Sequence, residues 1–150
     1  METKRKRQIS FFAALWTTAF FLNFFWESLH GLLYRDHPAM AASGYVPMMV
    51  EMAVYDAFAV SGLYLLVSLL CRTLLWKITM HNVTVFSVAA LFAAFSTEYA
   101  AQHVLHAWFY LPSMPTVFGV GLLPLFQLAV TGVAAILAAS GLSDVNEPIN

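Results

Sequence analysis

Seven acidic or imidazole side chains stand inside long apolar stretches of this 150-residue chain. They are Glu27, His30, Glu51, Asp56, Glu98, His103 and His106. An ionisable group inside a membrane costs about 2–3 kcal/mol or more, so each one requires pairing, protonation, a metal or water. Residues 8–34, 36–71 and 78–150 contain no Lys or Arg, so no cation inside these stretches can neutralise the carboxyl groups.

Acid–base chemistry on a lipid-soluble substrate is the first use that fits this set. Glu27 or Asp56 is the candidate proton donor, because a carboxyl group in a low-dielectric site can keep its proton at neutral pH. Glu98 with His103 is the candidate partner that holds or accepts the proton. An isoprenoid cyclase or isomerase needs these groups, together with aromatic faces that stabilise a cation. The candidate substrate-binding residues are Asn23, Trp26, Tyr99, Trp108 and Gln127.

Metal binding is the second use. Glu27-x-x-His30 has the spacing found in di-iron carboxylate bundles, although the chain holds this motif once. The candidate ligands are His30, His103 and His106, and the cofactor would be a divalent metal. Histidines that only hydrogen-bond to carboxyl groups between helices explain the same residues. A non-enzymatic membrane subunit or a small metal- or proton-handling protein therefore remains the alternative function.

Composition identifies the elements that must position these groups. Hydrophobic types make up 61% of the chain and charged types 10%, whereas soluble domains carry about 25% charged residues. About 20 apolar residues in a helix cross a bilayer, and residues 9–34, 47–70, 83–110 and 116–139 satisfy this length. The sequence predicts a single all-α domain, an integral membrane four-helix bundle. Its partners would be membrane lipids and a hydrophobic small molecule, and a net charge of −1 gives no indication of nucleic acid.

The basic residues predict an orientation in the membrane. Six of the seven Lys and Arg residues precede the first span or lie between the second and third: Lys4, Arg5, Lys6, Arg7, Arg72 and Lys77. By the positive-inside rule, both termini are cytoplasmic in a multi-pass protein of a cell membrane, which we expect to be a bacterial inner membrane. The ionisable groups then fall in the outer half of the bilayer. Because four short-looped helices enclose only a small pocket, we also expect a homo-oligomer or a larger membrane complex.

Helical spacing indicates which polar side chains share a face, since residues at i, i+4, i+7 and i+11 form one stripe. One such stripe is Asn23, Glu27, His30 and Tyr34, and a second is Tyr99, His103, His106 and Tyr110. Glu51 and Asp56 are five residues apart and cannot both face one centre, which favours Asp56. Gln127 and Thr131 share a face of the fourth span. Trp108 and Tyr110 also fit an aromatic belt at the membrane boundary.

The segment before the fourth span is expected to be a tight turn. Ser113 is a candidate helix cap and Pro115 suits a first helical turn. Pro124 is then expected to kink the helix that follows.

Two resemblances involve these residues. Asn23-x-x-Trp26-Glu27 resembles the N-x-x-W-E signature of the integral-membrane terpene cyclases of fungal meroterpenoid pathways, which have more spans. That resemblance implies that Glu27 protonates the substrate, with Asp56 as an analogue of a later intramembrane Asp. A longer pattern is similar to one in small bacterial four-span membrane proteins, and it implies one unit but no activity. This pattern comprises Trp26-Glu27, Leu33-Tyr34, Asp56, Glu98, Trp108-x-Tyr110, Met114-Pro115, Gly119-x-Gly121-Leu122, Pro124 and Gln127.

Overall fold

The computed structural model describes residues 2–143 and consists mainly of four long helices. They are α1 (Glu2–His30), α2 (Ala42–Cys71), α3 (Met80–Tyr99) and α4 (Leu122–Leu142). Two 3₁₀ turns, Gly31–Leu33 and His37–Ala39, connect α1 to α2, and a π-helical turn, Ala100–Val104, extends α3. Two short strands, β1 (Thr116–Val117) and β2 (Val120–Gly121), precede α4.

All four helices are long and apolar enough to cross a membrane, counting the turns that extend α1 to Leu33 and α3 to Val104. Their outer faces carry large exposed apolar side chains such as Phe21, Phe58 and Phe92, which suit contact with lipid tails. The predicted all-α, four-helix membrane bundle is therefore confirmed at this level. The side of the membrane on which each terminus lies stays a prediction.

The helices pack unevenly around the bundle. Helix α1 packs closely against α2 and α4, and α3 packs against α4, whereas α2 and α3 touch each other much less. The order around the bundle is therefore α2, α1, α4, α3, with a weak seam where α2 faces α3.

The core changes character along the bundle axis. Near the α2–α3 loop it is apolar and aromatic, with Phe11, Leu15, Tyr64, Trp76 and Phe86 all buried. The Tyr64 ring stacks on Trp76 with 4.9 Å between ring centroids. Toward the other end, buried polar side chains replace these groups, and they form the candidate site described below.

Gly132 of α4 allows the close contact between α4 and α3. A Cβ atom at this position would lie 2.5 Å from Cζ of Phe86, which is completely buried on α3. We expect Gly132→Ala to destabilise the protein by about 1–3 kcal/mol through overpacking, despite the higher helix propensity of alanine. Gly141→Ala is the matched control, because a Cβ there meets nothing within 4 Å in the same helix. The free energy of unfolding in mixed micelles measures both changes. An equal gain in stability by the two variants would contradict this packing.

Helices α1, α2 and α3 have boundaries that differ from the predicted spans. Helix α1 begins at Glu2 instead of residue 9, and α2 begins at Ala42, which puts Pro47 inside it. Helix α3 does not continue to residue 110, because its last turn widens to π geometry and the N–H of Leu105 donates to O of Ala100 at 2.8 Å. His106 then has a left-handed φ of 52°, which ends the helix. The predicted stripe from Tyr99 to Tyr110 is therefore wrong beyond Val104.

The segment before α4 folds as a small hairpin, so the expected helix start near Ser113 and Pro115 is wrong. Strands β1 and β2 pair antiparallel, and the turn between them uses Phe118 and Gly119 at φ of 52° and 78°. Positive φ at both central residues is typical of the tight turns that join twisted strands. Pro124 is the third residue of α4, where its missing N–H costs no helical hydrogen bond, so it does not act as a kink within a longer helix.

Candidate functional site

Gln127 connects three helices in the middle of the polar region. Helix α4 buries its side chain, and Nε2 donates to Asp56 Oδ2 at 2.6 Å and to Glu27 Oε1 at 2.8 Å. The same Nε2 atom lies 3.1 Å from Oδ1 of Asn23, a residue that is completely buried. Side chains of α1 and α2 that are far apart in sequence thus converge on a single amide nitrogen.

This cluster has fewer hydrogens than hydrogen-bond acceptors. An amide nitrogen carries two hydrogens, yet three oxygen atoms lie within hydrogen-bonding distance of Nε2 of Gln127. Thr131 adds one hydroxyl hydrogen, which Asn23 Oδ1 at 3.0 Å and the Gln127 carbonyl at 2.8 Å both approach. A proton on one of the two carboxyl groups would add a donor to this cluster.

A cavity of about 190 Å³ adjoins this cluster. Three carboxyl groups line it, those of Glu27, Asp56 and Glu98, together with Gln127. Its other lining residues are Tyr55, Ala59, Ala94, Thr97, Pro124 and Leu128. Of these, Tyr55 of α2 and Thr97 of α3 are exposed, so the cavity reaches the surface at the weak seam between α2 and α3.

Glu98 is held at the far side of the cavity by three neutral donors. Its Oε1 accepts from the Tyr34 hydroxyl at 3.2 Å, and its Oε2 accepts from Trp108 Nε1 at 3.2 Å and the Tyr110 hydroxyl at 2.5 Å. The Gly121 N–H in turn donates to the Tyr110 oxygen at 2.9 Å. Three neutral hydrogen bonds therefore stabilise this carboxyl group.

The two tyrosines reach Glu98 because two loops pair. Tyr34 and Tyr110 form an isolated antiparallel bridge, flanked by hydrogen bonds from Arg35 N to Phe109 O at 2.9 Å and from Leu111 N to Leu33 O at 2.8 Å. The polar atoms of Trp108 and Tyr110 thus point inward to Glu98, and the position of these residues in an aromatic belt stays a prediction. Arg35 lies outside this contact, over the Phe109 ring at 5.1 Å.

Burial and the neighbouring Glu98 raise the pKa of Tyr34 and of Tyr110 above the ordinary value of 10.0. Both phenols therefore stay protonated donors through the neutral range. Because the folded state holds these protons more tightly than the unfolded state, their contribution is fully present below about pH 10 and is lost as the pH rises above it.

We therefore expect the unfolding midpoint of the wild-type protein to fall more steeply above about pH 10 than that of a Tyr34→Phe/Tyr110→Phe variant. Thermal unfolding in detergent measures both slopes. Tyr99→Phe is the control, because Tyr99 is 46% exposed, and it should keep the wild-type slope. Parallel curves for the wild type and the double variant would contradict the assigned contacts.

His30 is buried beside Glu27 on the inward face of α1, although it does not line the cavity. Its Nδ1 lies 3.0 Å from the Trp26 carbonyl, which can only accept, so Nδ1 carries the hydrogen. The other nitrogen, Nε2, faces Glu27 Oε2 at 3.9 Å. His30 is therefore placed to exchange a proton with Glu27 after a small movement.

The three candidate metal ligands do not form one site. His103 is exposed and its ring lies against that of Tyr99, tilted by 42°, with 4.7 Å between ring centroids, and His106 is exposed beyond the end of α3. Within residues 2–143, no group of three or more His, Cys, Asp or Glu side chains is arranged to hold a metal ion. His103 also does not line the cavity with Glu98, contrary to its expected partnership with that residue.

The expected substrate-binding residues separate into two groups. Trp108 and Gln127 contact carboxyl groups directly, and Asn23 contacts the Gln127 amide. Trp26 instead donates to the Leu123 carbonyl at 3.2 Å and lines a different, apolar groove, and Tyr99 faces outward. Glu51 is exposed and accepts from Tyr55 at 2.7 Å, so Asp56 is the α2 carboxyl group at the site.

Sequence reasoning did not identify two features of the site. Thr97 and Tyr55 border the cavity mouth, but an isolated Thr or Tyr in an apolar helix carries no distinguishing signal. The inward direction of Trp108 and Tyr110 depends on the end of α3, which no proline or helix-capping glycine marks. The chain matches no protein-family model, no curated protein and no solved structure.

Proposed function

We propose that the protein is a membrane-embedded acid–base enzyme that acts on the end of an isoprenoid or related lipid. Glu27 and Asp56 share the proton that is donated, and Glu98 holds the charge or accepts the proton that is released. The observation that carries the proposal is the convergence of both carboxyl groups on Nε2 of Gln127 at the wall of a cavity that Glu98 also lines.

The shared proton follows from electrostatics and hydrogen counting. Two ionised carboxylates in contact with one amide, with no Lys or Arg in the spans, would repel each other in a low-dielectric site. A proton on one of them removes the repulsion and supplies the donor that the cluster lacks. Because both carboxyl groups contact the same amide nitrogen, we assign the proton to the Glu27–Asp56 pair and not to either residue alone.

Cavity size and access favour a long, apolar substrate. Its volume of about 190 Å³ is below the usual 300–1,000 Å³ of small-molecule pockets, so only part of a larger molecule fits. The mouth lies between α2 and α3, two helices whose outer surfaces carry exposed apolar side chains such as Phe58 and Phe92. A lipid chain can lie along this seam while its reactive end enters the cavity.

Proton or ion transport is less well supported by the same geometry. A transport path would need polar groups along the whole bundle. Beyond Asn23 and Thr131, the core toward the α2–α3 loop is filled mainly by apolar and aromatic side chains such as Leu15, Val60 and Phe86. The polar cavity therefore ends within the bundle, as suits a reaction site.

The resemblance of Asn23-x-x-Trp26-Glu27 to the terpene cyclase signature agrees with this proposal, because Glu27 is the proton donor in both. We also propose that both termini are cytoplasmic, in a bacterial inner membrane, and that the protein works as a homo-oligomer or in a membrane complex. The basic residues Lys4, Arg7 and Arg72 border one cavity at the opposite end of the bundle, which supports this orientation.

Deuterium incorporation tests the enzyme directly. Adding a proton to a carbon–carbon double bond and removing one from a neighbouring carbon leaves the molecular formula unchanged in H₂O. In D₂O, each retained deuteron raises the mass of the product by one unit. The protein in nanodiscs is incubated in D₂O with linear C20 and C30 isoprenoids, a polyprenyl alcohol and a lipid extract of its host, and the lipids are analysed by mass spectrometry.

We expect deuterium in one isoprenoid class with the wild-type protein and at least about 100-fold less with Glu98→Gln. Empty nanodiscs give the background exchange. Absence of deuterium from every lipid, with the protein folded, would contradict the proposed reaction.

A further inference from the structure

A second cavity of about 340 Å³ lies at the end of the bundle opposite the carboxyl cluster. Its walls come from the first turns of α1 and from the chain that follows α2. The lining residues are Lys4, Arg7, Gln8, Arg72, Thr73, Leu74 and Leu75. We propose that this basic cavity binds the phosphate group of an anionic lipid.

Three cationic side chains converge on this cavity from two parts of the chain. None of its described lining residues is acidic, and Glu2 pairs instead with Lys6, which lies outside the lining, at 2.7 Å. Orientation in the membrane requires basic residues at this end but does not require them to border one cavity. Arg5 and Lys77 satisfy the orientation rule without lining it.

Local helix energetics do not explain the basic residues of α1. Lys4 and Arg7 lie in the first two turns of α1, where the helix dipole disfavours positive charge. An anion at the cavity would offset this cost as well as the mutual repulsion of the three cations.

The chemistry of the lining fits a phosphate group attached to a lipid. Two guanidinium groups and one ammonium group supply the donors that phosphate oxygens accept, and Gln8 and Thr73 add neutral donors. Leu74 and Leu75 give the same cavity an apolar side. The cavity lies at the end of the apolar helices, at headgroup depth when they span a bilayer, and basic pockets there bind anionic headgroups.

Native mass spectrometry of the full chain in detergent, with phosphatidylglycerol or phosphatidylcholine added, tests the proposal. The lining variant is Lys4→Gln/Arg72→Asn, in which Asn suits the left-handed φ of 53° at residue 72. The matched control is Arg5→Gln/Lys77→Gln, which removes the same charge outside the cavity. We expect wild type to retain phosphatidylglycerol preferentially, the lining variant to bind it about 10–30-fold more weakly, and the control to change less than about threefold.

Equal weakening in both variants would show diffuse attraction to positive charge and would overturn the site. A lack of preference for phosphatidylglycerol in the wild type would also overturn it. Inorganic phosphate is tested separately as a competitor, at constant ionic strength. If it bound the cavity and displaced the lipid at an equal concentration, the ligand would be a soluble phosphate instead of a lipid.

A measurement on the wild type keeps the test independent of variant folding. Acetylation of lysines is followed with and without phosphatidylglycerol. Protection of Lys4 with little protection of Lys77 supports the cavity, whereas equal protection of both contradicts it. Because this cavity lies at the opposite end of the bundle from Gln127, neither result bears on the proposed reaction.

Discussion

Glu27→Gln and Asp56→Asn are each expected to lower the rate of deuterium incorporation by about 10²–10⁴-fold, the usual contribution of a general acid. Each substitution replaces a carboxyl group that contacts Gln127 with an amide, which cannot deliver an acidic proton. Because the two residues share one proton, the double variant should be little slower than the slower single variant. The rate measurement in nanodiscs compares all three proteins.

Glu51→Gln is the matched control for these variants. Glu51 carries a carboxyl group on the same helix as Asp56, but it is exposed, and its side chain accepts a hydrogen bond from Tyr55 at 2.7 Å. The rate of deuterium incorporation by Glu51→Gln should stay within about twofold of the wild-type rate, since Glu51 lies outside the acid–base cluster. A loss as large as that of Asp56→Asn would contradict the assignment, as would independent, multiplicative losses at Glu27 and Asp56.

Gln127→Leu is expected to give the largest loss of stability among single substitutions at the site, about 3 kcal/mol. The change removes the donor shared by Asn23, Glu27 and Asp56 and leaves their oxygen atoms buried without it. The free energy of unfolding in mixed micelles measures this loss. Ser61→Ala is the control, because the Ser61 hydroxyl donates to the Ala57 carbonyl of its own helix at 2.8 Å, and we expect its loss to be nearly neutral.

Gln127→Glu separates loss of the donor from loss of packing. The side chain keeps its length, but an oxygen replaces Nε2 beside two other carboxyl groups. This variant should be unstable at pH 8 and recover part of its stability as the pH falls, because an added proton restores a donor. A Gln127→Leu protein as stable as the wild type, or a Gln127→Glu protein without pH dependence, would contradict the shared-donor geometry.

The regular part of the bundle could be predicted from sequence because hydropathy and helical spacing depend on local chain geometry. Spacing alone puts Asn23, Glu27 and His30 on one face of α1, and their burial shows that this face points into the bundle. The same helical spacing puts Glu51 and Asp56 on different faces of α2. Gln127 and Thr131 share a face of α4, and the structure turns that face toward Asn23.

The rest of the fold and of the candidate site depends on contacts between segments that are distant in sequence. Extending α3 to residue 110 put His103 and His106 beside Glu98, whereas the π turn and the positive φ of His106 end the helix earlier. The bridge between Tyr34 and Tyr110 then determines which donors reach Glu98. Hydropathy patterns carry no information about this pairing, and the short hairpin before α4 is equally invisible to them.

Infrared spectroscopy of the protein in D₂O tests the shared proton most directly, because a protonated carboxyl group has a carbonyl stretch distinct from that of a carboxylate. We expect the wild type to show a buried, protonated carboxyl signal at neutral pH that shifts on deuteration. The signal should vanish or move in both Glu27→Gln and Asp56→Asn and remain in Glu51→Gln. Absence of the signal in the wild type, or its persistence in both site variants, would contradict a proton held between Glu27 and Asp56.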